Sequence, residues 1–184
     1  MKRTYLILAC LILVAFGVRF AGQPRIPYGF HRDEASIGYS AYSLLKTSRD
    51  EWGKLFPLHF RALGDYPPGA YQYLTVLSMS LAGPTQLAVR LPAIVLGSLL
   101  VGVIYWFVYQ ITRQQKLGLL ASGLSVFSPW FVVQSRASSE AIPALLFSLV
   151  GLIFYSQFFQ RLKIKYLLAM TGFYLLALYS YNSV

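Results

Sequence analysis

The chain has 184 residues, 57% of them hydrophobic and 12% charged, with a formal net charge of +10. That balance excludes an ordinary soluble globular domain, in which about 25% of residues are charged, and the single Cys10 excludes an intrachain disulfide or a cysteine cluster for metal. The sixteen Lys and Arg are dispersed between apolar runs instead of forming one basic face, so the charge points to membrane topology and not to nucleic acid.

The first apolar run, residues 4–21, follows Lys2 and Arg3 and reads as an uncleaved signal anchor with a cytoplasmic N-terminus. The run continues past Cys10, against a lipidation site, and no clear small-x-small site follows for cleavage. Residues 22–85 then lie outside. Within them "GFHRDEASIGYSAYSLLK", 29–46, spaces Ile37, Ala41, Tyr42, Leu44 and Leu45 as an amphipathic surface helix, with Asp33 as its N-cap and Glu34 in its first turn. Free N–H groups and the helix dipole stabilise such carboxylates by about 0.3–1 kcal/mol, a sufficient structural reason for the pair. The same donors keep a carboxylate ionised and aimed, which makes it a usable general base.

Further along, "SRDEWGKLFPLHF" carries Asp50 and Glu51 among Arg49 and Lys54 ahead of Gly53, the pattern of a solvated turn, followed by a short extended piece around Pro57. "GDYPPGAY", 64–71, is either a Pro-initiated helix start or a rigid turn holding Asp65 and Tyr66 at the mouth of an apolar helix. His31 and His59 share this loop without a diagnostic ligand spacing; no metal site is assigned, and a divalent ion at His31 with Asp33 or Glu34 stays open.

Residues 69–83 are too few for a span and are expected to form a juxtamembrane or re-entrant helix; 86–111 spans. Then 117–133 runs outward, 134–140 is an outer loop, 141–159 runs inward and 166–182 outward. Pro129 and Pro143 predict helix breaks at the two ends of the second outer connection. With "TRQQK" and "QRLKIK" inside, the cytoplasmic parts hold seven basic residues and no acid, and all six acids fall outside. On the second outer loop, "QSRASSEA" sets Arg136 and Glu140 four apart, as a surface ion pair or as groups brought to the same side as Asp33. The expected fold is all-α, a polytopic transmembrane bundle of about five spanning helices plus juxtamembrane helices in a long first extracytoplasmic loop. The ending "YSYNSV" has no closing turn or polar tail, and the chain is expected to be the N-terminal portion of a longer membrane domain.

The blocks "HRDEASIGYSAYSL", "DYPPGAYQYL", "LAVRLPAIVLG", "SPWFVVQSRASSEAIPALLF" and "YSYNS", in this order, resemble the N-terminal part of C-type superfamily membrane glycosyltransferases related to the protein O-mannosyltransferases and the lipid A aminoarabinose transferases. The resemblance implies a multi-helix transferase of a bacterial-type inner or plasma membrane. It implies a polyprenyl-phosphate-linked sugar donor, a lipid, glycan or protein acceptor, and an active site on the outer face. It assigns Asp33 and Glu34 to the active site, aligns Asp65 with the acidic residue before the proline motif, and aligns Glu140, near Arg136, with the acid of the next outer loop. Where the aminoarabinose transferases carry a lysine before the proline, this chain has Tyr66. The expected chemistry is inverting transfer, with Asp33 as base and Glu34 or Asp65 orienting the acceptor. Arg136, with Arg61 or Arg90, would face the leaving phosphate. The rival readings are a transporter, a non-catalytic membrane subunit or an inactive fragment; the apolar runs are nearly free of the midplane ionisable groups that transport needs.

Overall fold

The computed structural model describes residues 2–23, 25–62 and 66–181. Eight helices follow one another: α1 (Lys2–Phe20), α2 (Arg32–Thr47), α3 (Ala70–Ala82), α4 (Gln86–Thr112), α5 (Gln115–Phe127), α6 (Pro129–Arg136), α7 (Ala141–Arg161) and α8 (Ile164–Ser180). Among the described residues β-type pairing is confined to isolated bridges, Arg49 with Leu55 and His59 with Pro68 among them, which make the extended piece expected around Pro57. α1, α4 and α7 are each long and apolar enough to cross a membrane. α5 and α6 pass that test only together, as a pair bent by 55°, and α8 is a shorter apolar helix. The single run expected over 117–133 is therefore two helices. Pro129 opens α6, and the residue before a proline is pushed out of the helical region, which puts the break at Ser128. Pro143 lies in the first turn of α7, where a missing N–H leaves no helical bond unmade.

α4 is the axis of the bundle, with α1, α5, α6 and α7 against its sides and α2 and α3 at its N-terminal end. Close approach is set by small residues: a Cβ at Gly118 would stand 2.8 Å from the Tyr105 ring, and one at Gly102 3.1 Å from Ile12 Cδ1. Large apolar side chains such as Leu13, Leu99, Leu124 and Leu175 stay exposed, as they do on a surface that faces lipid.

Pro92 inside α4 organises the N-terminal end. Its missing N–H releases the Ala88 carbonyl from the helical ladder, and Ser78 of α3 donates its hydroxyl to that oxygen. One residue on, the Tyr71 hydroxyl enters the ladder itself, donating to Val89 O at 3.0 Å and accepting from Ala93 N at 3.3 Å. α3 is thereby fastened to α4 through the groups that the proline leaves open.

The two ends of the bundle differ in charge. Thr4 Oγ1 donates to Gln115 Oε1 at 2.8 Å and Arg113 to Gln160 Oε1 at 2.8 Å, so the N-termini of α1 and α5 meet the C-termini of α4 and α7 at one end. Lys2, Arg3, Arg113, Lys116, Arg161, Lys163 and Lys165 belong to that end, and no acid does among the described residues. Glu34 and Glu140 stand at the opposite end.

Candidate active site

The carboxylate pair begins α2, but not in the expected manner. The N-cap is His31, two residues before Asp33: its Nδ1 accepts from Asp33 N at 3.3 Å, and Glu34 Oε2 accepts from His31 N at 3.0 Å, closing a reciprocal capping box. Because the Nδ1 that accepts an N–H carries no proton, its 3.4 Å approach to Asp33 Oδ2 is a contact and not an ion pair.

Glu34 turns inward and is 4% exposed. Arg90 of α4, fully buried, meets it side-on with Nε to Oε1 at 2.8 Å and Nη2 to Oε2 at 2.9 Å. Ser138 adds its N–H at 3.1 Å and its hydroxyl at 3.3 Å, both to Oε1. Burial pushes this carboxyl upward, but the Arg90 guanidinium and the His31 and Ser138 N–H groups outweigh it and hold the group below the ordinary glutamate range. Arg90 also donates to Pro27 O at 3.2 Å and Gly29 O at 2.7 Å. Three sequence-distant segments, the first outer loop, α4 and the second outer loop, are thus tied at one buried carboxylate.

Asp33 turns the other way. Its side chain is about 70% exposed and stands with Arg32, Ser36 and Ile37 on one wall of a cleft of about 430 Å³. Among the described residues the rest of the lining comes from Ser138, Ser139 and Glu140 of the second outer loop, Ala62 and Pro67 of the first, and Gln72 and Tyr181. Gln72 is 2% exposed, and its amide oxygen has no hydrogen-bond partner among the described residues.

The remaining expected residues divide. Glu140 lines the cleft with Asp33, as the charge topology predicts. Arg136, expected to face a phosphate, instead grips three carbonyls, those of Val18 at 2.6 Å, Ala21 at 2.6 Å and Ile26 at 2.9 Å, and closes the end of α1 against the loop. Arg61 lies over the Trp52 ring at 4.3 Å and is not part of the lining. Tyr66 is exposed and outside the lining as well; Asp65 lies outside the described residues. Asp50, expected to be solvated, is buried at the heart of its turn, where Oδ1 accepts from Trp52 N at 3.0 Å and Lys54 N at 2.8 Å. Among the described residues no three His, Cys, Asp or Glu side chains gather as metal ligands.

Arg32, Ser36, Ala62, Gln72, Ser138, Ser139 and Tyr181 line the cleft without having been assigned to the site from the sequence. Arg32 had a usable signal, since it is the cation next to Asp33. Ser138 and Gln72 had none, because their role depends on which loop meets which helix.

A family model for dolichyl-phosphate-mannose-protein mannosyltransferases matches residues 9–178. Neither the curated proteins nor the solved structures contain a match to the chain. The matched span takes in α2 with its carboxylate pair, the α4 arginine and both outer loops, which is the whole frame of the cleft apart from Tyr181. The chain belongs to the dolichyl-phosphate-mannose-protein mannosyltransferase family and is an integral membrane glycosyltransferase.

Proposed function

We propose that the cleft between α2 and the second outer loop transfers a sugar from a polyprenyl phosphate to an acceptor hydroxyl on the extracytoplasmic face, with inversion. The observation that carries this reading is the convergence of Asp33 and Glu140, 107 positions apart by their numbers (140 − 33), on one open cleft in a chain of this family. Asp33 takes the proton of the acceptor hydroxyl, and the oxygen forms its bond to the anomeric carbon as the bond from that carbon to the phosphate oxygen breaks. The configuration inverts because the nucleophile enters opposite the leaving group. Polyprenyl phosphate departs as the anion, opposite Arg32, the guanidinium that lines the cleft. Glu140 orients the acceptor. Glu34 acts as a positioning residue, holding Ser138, and with it the wall that bears Glu140, against the start of α2.

The cationic end of the bundle supports, by the positive-inside bias, a cytoplasmic position for that end. The N-terminus is then cytoplasmic and the cleft faces outward. Mannose is the first donor to try, since the family is one of dolichyl-phosphate-mannose-protein mannosyltransferases, and a protein hydroxyl the first acceptor. The test is transfer of radiolabelled mannose from its polyprenyl phosphate in membranes containing the protein. Asp33→Asn should lower turnover by about 10²–10⁴-fold with the unfolding midpoint unchanged. Normal turnover in that variant removes Asp33 from the mechanism; absence of transfer by the unaltered protein, with every donor and acceptor offered, refutes the reading as a whole.

A further inference from the structure

At the opposite end of the bundle from the carboxylate cleft, a second cavity of about 450 Å³ opens between α1 and α4, within the range of about 300–1,000 Å³ of ligand sites. Its walls are aromatic: Tyr5 on α1 and Tyr105, Trp106 and Tyr109 on α4, with Tyr105 and Tyr109 stacked at 5.9 Å. Tyr5 and Trp106 are 62% and 42% exposed, so the cavity opens sideways where a lipid would lie. A polar rung, the Thr4 to Gln115 hydrogen bond, belongs to its lining. Lys2 and Arg3 precede that rung on α1, and Lys116 follows it on α5; all three are exposed, and none has an ion pair among the described residues.

We propose that this groove binds an anionic phospholipid of the adjoining leaflet, one acyl chain lying along the aromatic wall and the phosphate at the rung between Lys2, Arg3 and Lys116. Charge complementarity selects the occupant. This end has cations and no acid among the described residues, hydroxyl and amide groups stand where an ester and phosphate boundary would be, and a basic site between spanning helices favours anionic headgroups. A zwitterionic lipid fills the apolar wall equally well, but the ammonium of its headgroup offsets the attraction of its phosphate to the three cations. The site lies away from the carboxylate cleft and does not depend on the reading of the cleft.

Trp106 is the reporter. With Trp52→Phe and Trp130→Phe, it is the sole tryptophan of these 184 residues. In bilayers containing brominated phosphatidylglycerol, its fluorescence should be quenched at a lower mole fraction than with brominated phosphatidylcholine, by about fivefold for each cation in contact with the headgroup. The preference should shrink in high salt and vanish in Lys2→Gln/Arg3→Gln/Lys116→Gln, in which unchanged quenching by phosphatidylcholine shows that the bundle is still inserted. Leu8→Phe keeps every cation and fills the groove, and it should remove the preference too. Equal quenching by the two lipids in the parent protein, or a preference that survives both the charge and the groove variants, overturns the proposal.

Discussion

Replacing Glu34 with Ala would leave the buried Arg90 guanidinium without its carboxylate and take from the Ser138 N–H its acceptor, while the Ser138 hydroxyl keeps Val89 O at 3.1 Å. Breaking one side of a buried pair costs about 3–5 kcal/mol, more than the pair contributes relative to an apolar replacement, because the surviving charge stays desolvated. The double variant Glu34→Ala/Arg90→Met removes that stranded charge and should recover most of the loss. Unfolding of the purified protein in mixed dodecyl maltoside and SDS micelles, followed by circular dichroism, measures both. The pH dependence carries a sign. The Glu34 carboxyl is held below its ordinary range in the fold, so its contribution is complete above the unfolded value, about 4.3. It is lost as pH falls through the folded value, and Glu34→Gln should lose this acid-side slope. A single-variant loss under about 1 kcal/mol, with no recovery in the double variant, would refute the buried-tie account. Activity separates positioning from contact with substrate: a double variant that regains stability and part of its turnover supports positioning, whereas one that is stable and wholly inactive puts Glu34 at the reacting atoms.

Other expectations follow from named contacts. Tyr71→Phe withdraws the hydroxyl that bridges Val89 O and Ala93 N beside Pro92, and it should cost about 1–3 kcal/mol in the same micelle assay. Gly97→Ala should also destabilise, by about 1–3 kcal/mol, despite alanine's better helix propensity. Its Cβ would overlap the Ser135 hydroxyl and stand 2.7 Å from Ser135 Cβ, and Ser135→Gly should relieve it. Arg136→Lys should fail to restore what Arg136→Ala loses, because one ammonium cannot span three carbonyls held by a planar fork; thermal melts of the three proteins compare them directly.

Much of the fold is legible in the sequence because membrane solvent imposes one-dimensional constraints. Apolar length marks α1, α4 and α7, and the positions of Lys and Arg match the cationic end that the hydrogen bonds bring together. Pro129 is read correctly as a break, but the 55° that separates α5 from α6 is not contained in it. Part of that geometry comes from Arg19, whose buried guanidinium donates to Ser125 O and Val126 O, the open carbonyls at the end of α5. Nothing in the local sequence links residue 19 to residue 125. The same holds for Arg90 and Arg136: cations near an outer face suit phosphate in the abstract, while the carbonyls and carboxylate that engage them come from other segments.

The carboxylate pair shows where such reading fails for a reason that can be stated. Adjacent residues on a helix point about 100° apart, so Asp33 and Glu34 cannot share one environment once α2 forms at Arg32. The cap is also weakly marked in the sequence: His31 is followed three residues later by Glu34, the spacing of a reciprocal capping box, but histidine is outside the favoured N-cap set. At 100° per residue the two acids stand about 50° to either side of the buried line of Ile37, Ala41 and Leu44, so the stripe by itself treats them alike. What separates them is the neighbour each one meets: Glu34 meets Arg90 of α4 and Ser138 of the second outer loop, and a buried carboxylate requires such partners, whereas Asp33 lines the open cleft. A distinction set by the segments that pack against α2 is not contained in the sequence of α2.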